Sequence, residues 1–263
     1  MNKVGFVGMG NMAQAMAEGF LKSGKLQREA VLAYAPHKEK LYQNGERIGF
    51  LPVDTLEELV HRSEIIIIAC KPYQISEVLT EVKNGLTGKA VLSVAAGWVF
   101  DDFHAILGDS VRIQCIMPNT PAMVGEGVML FEAAHSLGEQ ERKMVLDWFS
   151  ALGMVEELPT SLMGIGGAVT GCGPAFMDLI MEAYADAAVK YGIQRDTAYR
   201  LISQTMRGSA RLQQVTGSHP GVLKDAVCSP NGTTIRGVHA LEHSGLRAAC
   251  MDSIDAIMEY KNL

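Results

Sequence analysis

Cysteine is sparse and scattered. Cys70, Cys115, Cys172, Cys228 and Cys250 are odd in number, widely spaced and form no CxxC pair. That pattern excludes a disulfide framework and points to free thiols in a reducing compartment, so a cytoplasmic location is expected. Positive charge is not in excess either. The net charge of −6 excludes a broad nucleic-acid surface. Long hydrophobic runs are missing. The strongest, "IIIIAC" at 65–70, is too short to cross a bilayer, so no membrane partner is expected. The opening "MNKVGFVGMG" reads as a strand and turn rather than a signal peptide. There is no internal repeat, low-complexity tract or proline-rich linker. What is present is a chain of 263 residues, 48% of them hydrophobic. That is enough for one large domain or two modest ones with a substantial core.

The first part alternates strand-like and helix-like segments. "VGFVG" (4–8), "AVLAYA" (30–35), "EIIIIA" (64–69), "AVLSVAA" (90–96), "VRIQCIM" (111–117) and "GVMLFEA" (127–133) read as strands. Residues 11–24, 54–62, 75–83 and 101–107 read as helices. This rhythm predicts a parallel, doubly wound sheet. After "MVEELP" (154–159) the rhythm changes to long helices, and the boundary is placed at 159–165. Two domains are expected, 1–160 and 161–263. Pro174 is expected at the first position of one helix and Asp196 as the cap of another. The helix from 174 to 191 is apolar on nearly every face. Such a helix seeks burial all round, which predicts a homodimer built through this region. The alternative is that the helices only cover one another and the sheet.

"GFVGMGNMA" contains Gly8-Met9-Gly10-Asn11-Met12-Ala13, a GxGxxA spacing between a strand and a helix. In that context the first glycine permits a tight turn and the second lets backbone approach a pyrophosphate. The helix start then supplies N–H groups. A site for NAD usually has an acidic residue at the end of the second strand. Here the strand ends in Tyr34-Ala35-Pro36-His37-Lys38, with no carboxylate and two cationic groups. NADPH is therefore the expected cofactor, with NADH as the second choice. His37 and Lys38 suit a 2′-phosphate, or are solvated residues at a helix start. "ACKPYQ" (Ala69, Lys71, Pro72), "AAGW" (Ala95, Ala96, Gly97) and "MPNTPAMVGEG" (Asn119, Thr120) follow later strands on the same rim. They are candidate cofactor contacts, and Asn119 and Thr120 are candidates to orient a nicotinamide or substrate. Turn chemistry alone is the competing explanation for each.

Near the C-terminus, "CSPNGTTIRGVHALEH" poses a choice between metal and anion. His239, Glu242 and His243 fit H-x-x-E-H on a helix. Zinc needs a third ligand, and downstream only Asp252, Asp255 and Glu259 offer carboxylates. No metal is expected. Ser229-Pro230-Asn231-Gly232 is turn chemistry, with Gly232 able to take positive φ. Thr233 or Thr234 is then expected to cap a helix. The N–H groups at 232–235 form either an ordinary helix start or a cradle for a small carboxylate.

With these residues in view, the sequence resembles the pyrroline-5-carboxylate reductase family. The resemblance rests on "LKDAVCSPNGTTIRGVHALE", and on "GFVGMGNMAQAM", "ACKPYQ", "SVAAGW", "MPNTPAMVGEG" and "AVTGCGPAF", in family order across almost the whole chain. Asn231 and Thr233 stand where many members have Gly and Ala. The resemblance implies a Rossmann-type domain followed by an all-helical domain for dimerisation and substrate binding. The implied activity is NAD(P)H-dependent reduction of 1-pyrroline-5-carboxylate, a cyclic imine, to proline, a step of proline biosynthesis. The family's active site lies between the cofactor of one subunit and helices contributed partly by the other, and larger assemblies of dimers occur. Thr234 matches the catalytic threonine, and Ser229, Asn231, Gly232, Thr233 and Thr234 fall in the substrate loop. Two other readings stand beside this one. A β-hydroxyacid dehydrogenase would carry a lysine in the first interdomain helix, but "GCGPAFMDLIME" has none before Lys190. A non-catalytic NADP-binding sensor would have no need of a competent substrate loop.

Overall fold

The run Ile65–Ile68 is made only of isoleucine, and all four are buried. A strand of that kind needs cover on both faces. Ile65 and Ile67 enter one apolar cluster, and Ile66 and Ile68 enter another. The computed structural model describes residues 3–261. In chain order the sheet and its helices are β1 (Val4–Val7), α1 (Asn11–Lys22), β2 (Val31–Tyr34), α2 (Lys38–Ile48), β3 (Leu51–Pro52), α3 (Leu56–Arg62), β4 (Ile65–Ile68), α4 (Ile75–Val82), β5 (Ala90–Ser93), α5 (Phe100–Leu107), β6 (Arg112–Met117), β7 (Gly127–His135), α6 (Glu139–Ser150) and β8 (Gly153–Leu158). One cluster joins the sheet to α1, α2 and α6, and the other joins it to α3, α4 and α5. This is the doubly wound arrangement expected from the strand–helix rhythm.

The strand order is β3-β2-β1-β4-β5-β6-β7-β8. The first six strands are parallel and reproduce the order of a dinucleotide-binding sheet, with its reversal between β1 and β4. One pairing departs from the all-parallel expectation: β7 runs antiparallel to β6. The connection at 118–126 holds only a 3₁₀ turn. A parallel return needs a crossover of about a dozen residues or more. The α6 crossover then makes β8 parallel to β7.

The chain packs as two compact units, 1–174 and 175–263. The first unit closes with α7 (Thr160–Gly167) and a π turn (Ala168–Cys172), and the helix continues as α8 (Gly173–Lys190). Pro174 therefore does not begin a helix, contrary to expectation. It follows the widened turn inside a continuous one. Proline has no N–H to give the carbonyl four residues back, which is that of Thr170. A π turn relieves the clash of its ring. The freed Thr170 carbonyl accepts a hydrogen bond from Asn119 Nδ2 at 3.0 Å, while Asn119 Oδ1 accepts from the Val128 N–H at 2.8 Å. Asn119 is only 6% exposed. It ties the loop after β6 to the start of β7 and to the π turn.

The second unit holds the rest of α8, then α9 (Arg195–Thr216), α10 (Pro220–Ala226), α11 (Thr233–His243) and α12 (Leu246–Lys261). Gln194, not Asp196, is the N-cap residue of α9; Asp196 lies in its first turn. Among the described residues of this unit only Ala185 and Ala198 are buried. Leu179 is 65% exposed and Met251 68%. Two alanines make no core, so these helices require cover from elsewhere. The continuous helix Thr160–Lys190 is long and apolar enough to cross a membrane by length and composition, which "IIIIAC" is not. Asp178, Glu182 and Asp186, spaced by one turn along it, make a lipid span costly. Asp186 is paired with Arg195.

Two outcomes follow. Asn119→Ala leaves the Val128 N–H and the Thr170 carbonyl unpaired, and should cost about 1–3 kcal/mol per group in denaturant unfolding. Sedimentation across a dilution series should show no folded, active monomer; a stable active monomer would contradict the account of the helical unit.

Candidate active site

The crevice at the strand-order reversal is built by two loops. Gly8 follows β1 with φ +95°, and its N–H donates to the Tyr34 carbonyl at 2.8 Å. A Cβ there would stand 2.8 Å from the Ala69 carbonyl oxygen and 2.9 Å from the Cys70 nitrogen. Only glycine allows both the backbone conformation and the approach of the loop after β4. Gly10 is different. A Cβ on it would meet nothing within 4 Å, so open space lies over the start of α1. Gly10 is the N-cap residue, with no side-chain cap and no acid in the first turn. The N–H groups of Asn11, Met12 and Ala13 have no partner within the helix. That geometry fits a pyrophosphate.

Met9 is buried in the core, and Met12 packs partly against it. Met9 therefore offers the crevice only its backbone. Its carbonyl accepts from Gln14 Nε2 at 3.0 Å, and Gln14 Oε1 accepts from Arg47 at 2.7 Å. Gln14 and Arg47 thus brace the glycine loop. Sequence reasoning missed both, because each looks like a solvated helix residue until α1 and α2 are placed side by side. Burial pushes the Cys70 thiol up, which keeps it protonated beside this loop.

The strand ends around the crevice carry the other candidates. His37 is the N-cap residue of α2 and makes no side-chain cap. Lys38 is already occupied: its ammonium donates to the carbonyls of Val53 and Asp54 and lies 4.3 Å from the centre of the Tyr34 ring. Of the two expected cations, His37 is the less committed. Lys71 is extended, with ψ 145°, before Pro72. The Ala95 N–H donates to Ser93 Oγ at 3.3 Å. Ala96 and Gly97 are exposed, and Gly97 has φ +81°. Asn119 is built into the loop after β6. Its carbonyl and one amide hydrogen are spent on backbone, which makes it first a strut of the loop.

In the second unit the loop 229–232 turns differently from expectation. Asn231, not Gly232, takes the left-handed conformation, with φ 57°. Asparagine tolerates it, and its Oδ1 accepts from Arg236 at 2.9 Å. Gly232 is extended and is itself the N-cap residue of α11, so neither Thr233 nor Thr234 caps the helix. A Cβ at 232 would stand 2.3 Å from Ser229 Oγ and 3.0 Å from the Ser229 carbonyl oxygen, so a side chain there would turn the serine aside. The Gly232 N–H donates to the Ser229 carbonyl at 3.0 Å. It is withdrawn from the expected cradle, which shifts to Thr233, Thr234 and Ile235. Thr234 is exposed, and no partner holds its hydroxyl among the described residues. His239 and His243 stack at 6.3 Å between ring centres, while Glu242 is held by Arg247 at 2.8 and 3.0 Å. Among the described residues no group of three His, Cys, Asp or Glu side chains could hold a metal.

Comparison with known proteins joins these features. A family model described as pyrroline-5-carboxylate reductase dimerisation matches residues 160–262. One described as NADP oxidoreductase, coenzyme F420-dependent, matches residues 3–97. The pyrroline-5-carboxylate reductase of Treponema pallidum is 41% identical over 97% of this chain and 98% of its own length. That of Escherichia coli is 35% identical over 98% and 96%. A crystal structure of the Plasmodium falciparum pyrroline carboxylate reductase with NADP bound superimposes with a TM-score of 0.89 at 30% identity, covering 98% of this chain and 96% of that one. The N-terminal sheet is thus an NADP-binding, Rossmann-like domain and the helical tail a dimerisation domain, and the chain belongs to the pyrroline-5-carboxylate reductase family.

Proposed function

We infer that the chain reduces 1-pyrroline-5-carboxylate to proline with NAD(P)H, and that the loop 229–235 holds the substrate. The observation that carries the site assignment is the start of α11. There the N–H groups of Thr233, Thr234 and Ile235 have no intrahelical partner, beside a Thr234 hydroxyl that caps nothing. Those N–H groups receive the substrate carboxylate. The Thr234 hydroxyl hydrogen-bonds the imine nitrogen and orients the ring. A protonated imine is the better hydride acceptor. Threonine is too weak an acid to be its sole proton source in water, so solvent supplies the proton. When bound, the reduced nicotinamide supplies the hydride.

The first unit holds the cofactor. The N–H groups at Asn11 and Met12, and the backbone of Gly8 to Gly10, take the pyrophosphate. Ala35 and His37 face the adenosine end, with Lys38 contributing through one remaining ammonium hydrogen. Ala69, Lys71, Pro72, Ala95, Ala96 and Gly97 line the rim towards the nicotinamide, with Asn119 supporting it. NADPH is preferred over NADH, because no carboxylate stands at 34–38 to accept from a ribose 2′-hydroxyl. The enzyme works as a homodimer, or an assembly of dimers, in the cytoplasm.

Thr234→Ala should lower kcat/KM about 10- to 150-fold, the worth of one hydrogen bond to a charged group. Thr234→Ser should lose much less, and NADPH affinity should hold. The melting temperature should also hold, because Thr234 is not a cap. Unimpaired kcat/KM in Thr234→Ala would remove the assignment. For the cofactor, kcat/KM with NADPH should exceed that with NADH, and Ala35→Asp should reverse the preference. A wild-type preference for NADH would overturn this reading of the β2 end.

A further inference from the structure

Glu132 is a charged side chain on a buried strand, with 0% of its surface exposed. Burial of a carboxylate is costly unless hydrogen bonds compensate. No cation pairs with it among the described residues. Donors do instead. The Phe100 N–H donates to Oε2 at 2.7 Å, and the Thr160 hydroxyl donates to Oε1 at 2.6 Å. Burial, and then the nearby Glu132 carboxylate, push the Cys115 thiol up, which keeps it protonated. Phe100 is the first residue of α5 and Thr160 the first of α7. One carboxylate therefore serves the positive ends of two helices.

Phe100 also ends the loop that carries Ala95, Ala96 and Gly97. At the near end of that loop the Val94 N–H is paired with the Ile68 carbonyl, and the Ala95 N–H with Ser93 Oγ, a buried hydroxyl. At the far end the Val99 N–H is turned inward to Asp102, and Trp98 packs on Phe103 with ring centres 5.2 Å apart. Among the described residues, the one hydrogen bond that fixes this far end to the sheet itself is Phe100 N–H to Glu132. The exposed middle, Ala96 and Gly97, hangs between two pinned ends.

We propose that Glu132 is a positioning residue for NADPH: its carboxylate pins the far end of the 95–99 loop to β7 and so sets the backbone that meets the nicotinamide end of the cofactor. This rests on the assignment of Ala95–Gly97 to cofactor binding. A glutamine at 132 preserves the arrangement. Its carbonyl accepts from Phe100, and its amide donates to the Thr160 oxygen, which can reverse its role. A methionine of similar length has no acceptor for Phe100.

The test measures NADPH dissociation constants and steady-state kinetics on the assembled protein. Glu132→Met should weaken NADPH binding about tenfold, with an equal rise in KM for NADPH. Its kcat at saturating NADPH and its KM for pyrroline-5-carboxylate should stay close to wild type. Glu132→Gln should weaken NADPH less than about threefold. Gly97→Ala, strained at φ +81°, perturbs the loop directly and should weaken NADPH by itself. If Gly97→Ala weakens NADPH and Glu132→Met does not, the Glu132 proposal is wrong and the loop assignment stands. If Gly97→Ala has no effect, the loop assignment falls and this proposal with it. Should Glu132→Met fail to fold, Thr160→Val is measured beside Phe100→Pro. Thr160→Val keeps the Phe100 bond but frees the other carboxylate oxygen. Phe100→Pro suits the first position of α5 and removes the N–H that Glu132 accepts; an unchanged NADPH affinity in Phe100→Pro would overturn the proposal.

Discussion

The close approach of two strand-end loops is the constraint on which the cofactor half depends. With φ +95° at Gly8 and only 2.8 Å between a notional Cβ and the Ala69 carbonyl, no other residue fits the turn after β1. That turn aims the start of α1 at the reversal between β1 and β4, where the sheet opens a crevice. The space left over Gly10 and the bracing of Met9 by Gln14 and Arg47 follow from the same placement. The sheet beneath is rigid because β4 is buried on both faces, so the loops are carried on a scaffold that does not yield.

The helical unit obeys a different constraint. Its described residues bury two alanines and leave leucine, methionine and valine in the open. Hydrophobic burial is the main favourable term in folding, and this unit withholds it until a partner arrives. The match of residues 160–262 to a dimerisation family gives that deficit its meaning. The loop 229–235, which we infer holds the substrate, lies in this same unit.

Much of this was legible in the sequence, and the exceptions have physical causes. Ile65–Ile68 announces a strand covered on both sides, and Gly8-x-Gly10 announces the turn. The antiparallel β7 was not legible, because its sign lies in the shortness of 118–126 and not in the strand's own pattern. The helix α2 has only Leu41 and Gly45 buried, too thin a stripe to show a period. Pro174 resembles a helix start; only the π turn before it and Asn119 across from it reveal a continuous helix. In the loop 229–232, Asn231 takes the left-handed position that glycine usually fills, with its Oδ1 held by Arg236, a partner five residues on that no turn rule contains. Glu132 left one trace, an acid in an apolar strand, and its partners Phe100 and Thr160 are distant in sequence.

The central claim is that one chain combines an NADP-binding sheet with a loop shaped for a cyclic imino acid. Its most direct test follows the cofactor's redox state with three substrates: oxidation of NADPH by pyrroline-5-carboxylate or a thiazoline carboxylate, and reduction of NADP by a β-hydroxyacid. The account predicts rapid oxidation with pyrroline-5-carboxylate, one proline formed for each NADPH consumed, and no turnover of the hydroxyacid. Failure to form proline, or oxidation of the hydroxyacid in its place, would contradict it.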